Sequence, residues 1–216
     1  MEDLLPRVIV VAIMLLVGFP VHEFAHALAA YRLGDSTARH LGRLTLNPIA
    51  HFDPLGGILL AVTFIGSSFG FGWAKPTPVN PRNLEGGRFG EAIVAAAGPI
   101  SNLVLAIAAA LPLRYILETP SLQDQIPSMA LQVLVLFILI NIVLMVFNLF
   151  PIPPLDGSKV LFAFLPPEVS WRWRPVLEQY GFILLLIIFF LPPGDSIGGK
   201  ILFPIIDGIL GFLVGR

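Results

Sequence analysis

Three long apolar segments constrain the fold of this chain more than any other feature of its sequence. They run over residues 4–33, 92–113 and 129–150, and each is at least the roughly 20 residues that a helix needs to cross the hydrocarbon core of a bilayer. Two shorter apolar segments, 182–191 and 201–214, flank a Pro-Pro-Gly-Asp sequence typical of a turn. The sequence therefore predicts an all-α polytopic membrane protein with about five transmembrane helices.

Charged side chains are scarce, as expected for a chain that lies mostly in lipid. Of the 216 residues 12% are charged and 56% are hydrophobic, whereas soluble domains carry about 25% charged residues. We expect one domain over residues 1–216, with a core at 4–158 and accessory apolar segments at 180–216. The net charge of -1 gives no basic surface for nucleic acid. Because the chain contains no cysteine, a metal ion must be bound by His, Asp or Glu.

The apolar segment 55–73 has a different composition, "LGGILLAVTFIGSSFGFGW". Glycine, β-branched and aromatic residues favour short strands or a re-entrant loop over a helix. Non-helical backbone at membrane depth must pack on protein or line a water-filled cavity. The composition therefore predicts a membrane-dipping β or re-entrant element beside the first helix.

Basic residues predict the orientation of the chain in the membrane. Cytoplasmic loops carry an excess of Lys and Arg, and two groups of basic residues follow the first and third long apolar segments. These are Arg32, Arg39, Arg43, Lys75, Arg82 and Arg88 in one group and Lys159, Arg172 and Arg174 in the other. If 55–73 does not cross the membrane, both groups are cytoplasmic and the N-terminus lies outside.

The first apolar segment contains "HEFAH", which places His22, Glu23 and His26 inside a predicted membrane helix. Residues four apart lie on one helix face, so His22 and His26 can both face one metal ion. Glu23 then lies beside the metal. In zinc hydrolases with this HExxH pattern the glutamate is the general base. Ionisable groups within membrane segments are rare and usually functional, so the pattern predicts a catalytic metal site rather than a packing feature.

A third metal ligand is predicted at Asp156, in "FNLFPIPPLDGSK". Catalytic zinc usually has three protein ligands and one open position. We expect Pro151, Pro153 and Pro154 to end the preceding helix and to keep the segment extended, so that Asp156 points inward. The alternative is that Asp156 only caps a new helix, a position that aspartate favours.

These residues, in this order, resemble the site-2 protease family of intramembrane zinc metalloproteases. Five motifs carry the resemblance: "HEFAH", "LTLNPIAHFDPLGG", "GWAKPTPVNP", "AGPISN" and "NLFPIPPLDG". They extend over about two thirds of the chain, and it resembles the compact form of the family, without a PDZ domain. The resemblance implies that His22, His26 and Asp156 bind one zinc ion and that Glu23 is the general base.

The resemblance also implies a substrate and a location. The expected substrate is a transmembrane helix of another membrane protein, which is cut within or near the bilayer in regulated intramembrane proteolysis. The short form favours a prokaryotic plasma membrane. A chain of this composition is expected to contact the lipid bilayer and no nucleic acid.

Four further polar residues in these motifs are candidates for the site. Asn148 and Asn102 could bind the substrate backbone or stabilise the reaction intermediate as amide donors. Asn102, beside small residues, could equally hold membrane helices together by hydrogen bonds. His51 and Asp53 have the spacing of metal ligands, but an aspartate before a proline commonly begins a turn.

A second hypothesis is a divalent-metal transporter or sensor, since such proteins also carry His and Asp inside the membrane. Glu23 distinguishes the two hypotheses. A hydrolase needs a base beside the metal, whereas a transport site gains nothing from a glutamate at that position.

Overall fold

The computed structural model describes residues 4–66, 72–192 and 195–215 of the chain. Within these residues the chain is helical and contains no strand. In chain order the helices are α1 (Leu4–Ile13), α2 (Phe19–Arg32), α3 (Thr37–His40), α4 (Pro48–His51), α5 (Pro54–Gly66), α6 (Arg88–Leu117), α7 (Pro120–Gln123), α8 (Ser128–Asn148), α9 (Asp156–Phe164), α10 (Pro167–Phe190) and α11 (Ile197–Val214). The all-helical prediction is therefore confirmed over the described residues.

The first long helix combines α1 and α2. A π-helical turn, Met14–Gly18, joins them into one helix of 28 residues, Leu5–Arg32. Pro20 follows this turn and cannot donate the usual hydrogen bond to the residue four positions earlier, so the wider turn accommodates it. Turns of this kind are frequent at functional sites, and this one ends four residues before His22.

Four of the described helices are long and apolar enough to cross a membrane: Leu5–Arg32, Arg88–Leu117, Ser128–Asn148 and Ile197–Val214. The prediction of five crossing helices is not confirmed. Residues 182–190 of the apolar segment 182–191 form the C-terminal part of α10, and the N-terminal part of that helix carries several charged side chains. Its apolar portion alone is shorter than a bilayer core requires.

The prediction of strands in the segment 55–73 is wrong for residues 55–66, which lie in α5, and the re-entrant alternative stays a prediction. The Asp53 carboxylate accepts the N–H of Gly56 at 2.9 Å and so caps this helix. A Cβ atom on Gly56 would lie 2.1 Å from the carbonyl oxygen of Trp73. The glycine therefore permits close approach of the non-helical backbone at Trp73 to α5 and does not indicate a strand. Residues 67–71 of the predicted element lie outside the described residues.

The core that positions the site lies between α6, α8 and α11. Small side chains on α6 (Ala106, Ala109 and Ala110) are buried in one cluster with Ile138 and Ile142 of α8. Small residues let membrane helices approach closely. This close packing brings polar groups of α6 next to those of α8. On its other side α6 contacts α2 and α9, the helices that carry the predicted metal ligands.

Candidate metal centre

The structure brings the three predicted metal ligands together. His22 and His26 lie on α2, and Asp156 is the first residue of α9. The two Nε2 atoms are 3.1 Å apart. Asp156 Oδ2 lies 3.4 Å from Nε2 of His22 and 3.1 Å from Nε2 of His26. Both histidines are less than 9% exposed, so the cluster is largely shielded from solvent.

Hydrogen bonds at the opposite ring nitrogen orient both imidazoles. Nδ1 of His26 lies 2.7 Å from the carbonyl oxygen of Val94, and Nδ1 of His22 lies 2.5 Å from Oδ1 of Asn102. An oxygen of this kind only accepts, so each Nδ1 carries the proton and each Nε2 presents a lone pair. Metal-binding histidines are held in this way in most metalloproteins.

The three converging groups fit a cation such as zinc. Two lone pairs and a carboxylate oxygen face one another, and neutral imidazoles held in this way offer no proton to share between them. Ligand distances of about 2.0–2.2 Å in a tetrahedral zinc site place neighbouring ligand atoms roughly 3.3 Å apart. The observed separations of 3.1–3.4 Å match that spacing.

Gly98 keeps the space in front of the two histidines open. A Cβ atom at this position would lie 2.3 Å from Nε2 of His26 and 2.6 Å from Nε2 of His22. Real Cβ atoms do not approach other atoms so closely, so a side chain here would occupy the place of the ion. Gly98 belongs to "AGPISN". The small residues of this motif indicate close helix packing, but they do not indicate that Gly98 faces the histidines.

The segment before Asp156 is a pair of tight turns and is not extended, which corrects the sequence prediction. The N–H of Ile152 donates to the carbonyl of Phe150, and the N–H of Leu155 donates to the carbonyl of Ile152. The prolines end α8, as expected, but the chain then reverses and begins α9 at Asp156. Lys159, one turn further on, places its ammonium nitrogen 3.6 Å from Asp156 Oδ1, the oxygen that does not face the histidines.

Glu23 lies beside the histidines and is held by the extended segment 74–79. The backbone N–H of Thr77 donates to Glu23 Oε2 at 2.7 Å, and the Thr77 hydroxyl donates to the Glu23 carbonyl at 3.0 Å. The buried guanidinium of Arg43 secures this segment by donating to the carbonyls of Lys75 and Pro76. Nothing in the sequence indicated that Thr77, within "GWAKPTPVNP", or Arg43 supports Glu23, because neither lies near Glu23 in the chain.

His51 and Asp53 have structural contacts and do not join the ligand cluster found among the described residues. His51 Nε2 lies 2.7 Å from the carbonyl oxygen of Thr45, and the His51 carbonyl accepts the N–H of Lys75 at 2.9 Å. Asp53 caps α5. His51 thus stabilises the loop next to the segment 74–79, and Asp53 stabilises the start of α5.

A cavity of about 700 Å³ opens onto the cluster. His22, Glu23, His26 and Asp156 line one side of it, and Asn148 lies on its wall. The rest of the wall is mostly apolar and includes Phe19, Leu144, Phe147, Phe182, Leu186 and Phe189. Asn102, in contrast, is fully buried behind His22 and is not a wall residue. The predicted metal ligands and Glu23 therefore face a mostly apolar cavity.

Known proteins that resemble this chain carry the names of peptidases. Residues 115–188 match peptidase family M50. The chain is 40% identical over 203 residues to a Bacillus subtilis protein named "Putative zinc metalloprotease YwhC", and the match covers 90% of this chain and 84% of that protein. It is 31% identical over 177 residues to "Putative zinc metalloprotease Rip2" of Mycolicibacterium smegmatis, and here the match covers 82% of this chain and 65% of the relative. No solved structure matches significantly.

Proposed function

The chain belongs to peptidase family M50, and on that premise we propose that it is an intramembrane zinc metalloprotease that cleaves transmembrane segments of other membrane proteins. The observation that carries the proposal is the convergence of His22, His26 and Asp156 beside Glu23 at a cavity between helices long enough to span a bilayer. Because the relatives are bacterial proteins, we assign it to a bacterial plasma membrane.

The metal ligands in this proposal are Nε2 of His22, Nε2 of His26 and the Asp156 carboxylate. Zinc bound there would lower the pKa of a water molecule and polarise the scissile carbonyl. Val94 and Asn102 keep the two imidazoles in the required tautomer, and Lys159 neutralises the outer oxygen of Asp156. We therefore assign Asn102 to positioning His22 rather than to binding substrate.

Glu23 is the general base in this proposal. Thr77 holds Oε2, so we assign proton transfer to the other oxygen, Oε1. Glu23 accepts the proton of the attacking water and then donates it to the leaving amine nitrogen. General acid–base catalysis of this kind contributes typically 10²–10⁴-fold to a rate.

Asn148 is the proposed substrate-binding residue. One amide N–H of Asn148 donates to the Leu144 carbonyl at 2.9 Å, which leaves a second N–H and the amide oxygen for another partner. A substrate helix must unwind before it can be cut, and its exposed backbone groups then need hydrogen bonds. The Asn148 amide on the cavity wall is suited to provide them.

The transporter or sensor hypothesis receives less support. A transport site does not require a glutamate that is fixed next to the ligands by two hydrogen bonds to Thr77. Membership of a peptidase family also favours the protease.

The experiment that tests the proposal measures zinc content and cleavage together. The purified protein would be reconstituted in proteoliposomes with a model membrane protein whose transmembrane segment carries glycine and proline in its middle. We expect cleavage that a zinc chelator stops and added zinc restores, and we expect His22→Ala, His26→Ala and Asp156→Ala to lose most bound zinc. Full zinc occupancy in Asp156→Ala would remove that residue from the ligand set, and cleavage unaffected by the chelator would refute a zinc protease.

A further inference from the structure

We propose that Asn141, on α8, is a positioning residue of the metal centre that determines which nitrogen of His22 is free to bind the metal. This inference rests on the proposed function, because it assumes that His22, His26 and Asp156 bind zinc. Asn141 lies outside every motif that identified the site, and it touches neither the cavity nor a metal ligand directly. Its influence passes through Asn102.

A chain of three hydrogen bonds connects the backbone of α8 to His22. Asn141 Nδ2 donates to the Phe137 carbonyl at 2.8 Å, and Asn102 Nδ2 donates to Asn141 Oδ1 at 3.0 Å. Asn102 Oδ1 then lies 2.5 Å from His22 Nδ1. Asn102 and Asn141 are both 0% exposed, so water does not compete for these groups.

The direction of each bond follows from the one before it. The Phe137 carbonyl can only accept, so Asn141 turns its NH₂ group toward it and its oxygen toward Asn102. Asn102 must then turn its own NH₂ group toward Asn141 and its oxygen toward His22. Since this oxygen can only accept, His22 carries its proton on Nδ1 and leaves Nε2 available for the metal.

Without the Asn141 oxygen, the direction of the hydrogen bond between Asn102 and His22 is no longer fixed. Asn102 would have a buried NH₂ group without an acceptor, a costly state. It could then rotate and direct its NH₂ group at His22 Nδ1. His22 would have to move its proton to Nε2, which would no longer be able to bind zinc. His26 does not share this dependence, because the backbone carbonyl of Val94 fixes its tautomer directly.

The test compares the zinc affinity of purified variants by competition with a chelator. Asn141→Leu, which preserves approximate volume and removes the acceptor, should weaken zinc binding about 10–100-fold, the usual effect of losing an outer-shell partner. Asn141→Asp should retain affinity within about threefold. A neutral carboxyl group there can donate to Phe137 and still accept from Asn102.

Gln132→Leu is the matched control. Gln132 is an exposed amide on the same helix, nine residues before Asn141, and it is not part of the hydrogen-bond chain to His22. The zinc affinity of this variant should equal that of the wild type. Unchanged affinity in Asn141→Leu, or equal losses in Asn141→Leu and Asn141→Asp, would overturn the inference.

A double-mutant cycle tests whether Asn141 acts through Asn102. In the Asn102→Ala background, Asn141→Leu should cause little further loss of zinc affinity, whereas additive losses would overturn the proposed route. If Asn141→Leu does not fold, Asn141→Ala removes the same acceptor and takes its place. The visible spectrum of the cobalt-substituted protein provides a second readout of the metal geometry. If the wild type binds no zinc, the proposed function itself is refuted. If the wild type binds zinc and Asn141→Leu binds it equally well, only the inference about Asn141 is refuted.

Discussion

At the scale of single residues, the proposed metal centre depends on the absence of a side chain at Gly98 as well as on its ligands. Gly98 faces both imidazoles, and its lack of a Cβ atom leaves room for an ion. The two histidines are themselves held by oxygens from α6, the Asn102 amide and the Val94 carbonyl. The proposed zinc site therefore depends on the α2–α6 contact as well as on its three ligands.

Gly98→Ala should reduce zinc affinity at least tenfold, because the new methyl group would lie within 2.6 Å of both Nε2 atoms and would force the histidines or the helices apart. Zinc titration of the purified protein measures the effect. Gly208→Ala is the control, since a Cβ atom on Gly208 meets nothing within 4 Å. Equal zinc affinity in the two variants would contradict the assigned role of Gly98.

Asp35 is a second residue whose substitution should have a measurable effect, in this case on the stability of the fold. It is 0% exposed, and its carboxylate accepts hydrogen bonds from the N–H and hydroxyl of Thr37, the N–H of Asn80 and the side chain of Asn83. Burial acts to raise the pKa of Asp35, but the hydrogen bonds from Thr37, Asn80 and Asn83 together lower it below its ordinary value. The carboxylate thus ties the end of α2 to the loop that precedes α6.

A lowered pKa implies that the stabilisation by Asp35 is fully present above its ordinary pKa of about 4 and is lost as the pH falls through the lowered value. At pH 7, Asp35→Asn should lower the free energy of unfolding by about 2–3 kcal/mol, because an amide cannot accept all of these bonds. Between pH 5 and pH 3 the wild type should lose more thermal stability than the variant. Parallel pH profiles for the two proteins would contradict this assignment.

At the scale of the elements, an ion pair ties α10 to α6 beside the cavity. The Arg174 guanidinium donates to both carboxylate oxygens of Glu91, at 3.0 Å and 2.6 Å. Glu91 also lines the cavity that holds the metal ligands. The apolar half of α10 supplies part of the same wall, so this pair helps to hold the wall in place.

Arg174→Ala should lower the free energy of unfolding by about 1–3 kcal/mol, because it leaves the largely buried carboxylate of Glu91 without its partner. Arg174 is itself about one third exposed, which keeps the effect below that of a fully buried pair. Thermal unfolding in detergent measures the change. Arg172→Ala, at an exposed neighbouring position, should stay within about 0.5 kcal/mol of the wild type, and equal losses in the two variants would contradict the assignment.

At the scale of the whole molecule, apolar segment length predicted the long helices, and motif spacing predicted which residues lie close together. Leu5–Arg32, Arg88–Leu117 and Ser128–Asn148 correspond to the three long apolar segments. The i, i+4 spacing of His22 and His26 predicted that they would face one point, as they do. Segment length and the spacing of two histidines are local properties of the chain, so each can be read from a single short segment of the sequence.

Other features depend on contacts between distant segments and could not be predicted. Gly56 and Gly57 permit close contact of α5 with Trp73 and Phe52, which composition cannot distinguish from a strand signal. The link from Asn141 to His22 joins residues 119 positions apart through a helix contact. Thr77 meets Glu23 only because loops anchored by Arg43 return to α2.

The central claim is that Glu23 transfers a proton at a zinc site formed by His22, His26 and Asp156. The most direct measurement is the zinc content and cleavage rate of Glu23→Gln beside the wild type, in proteoliposomes with the same model substrate. Glutamine preserves the shape and can still accept the Thr77 N–H, but it cannot take up the proton. We predict full zinc occupancy with cleavage reduced at least about 100-fold. Near-normal cleavage by a fully zinc-loaded Glu23→Gln protein would contradict the account.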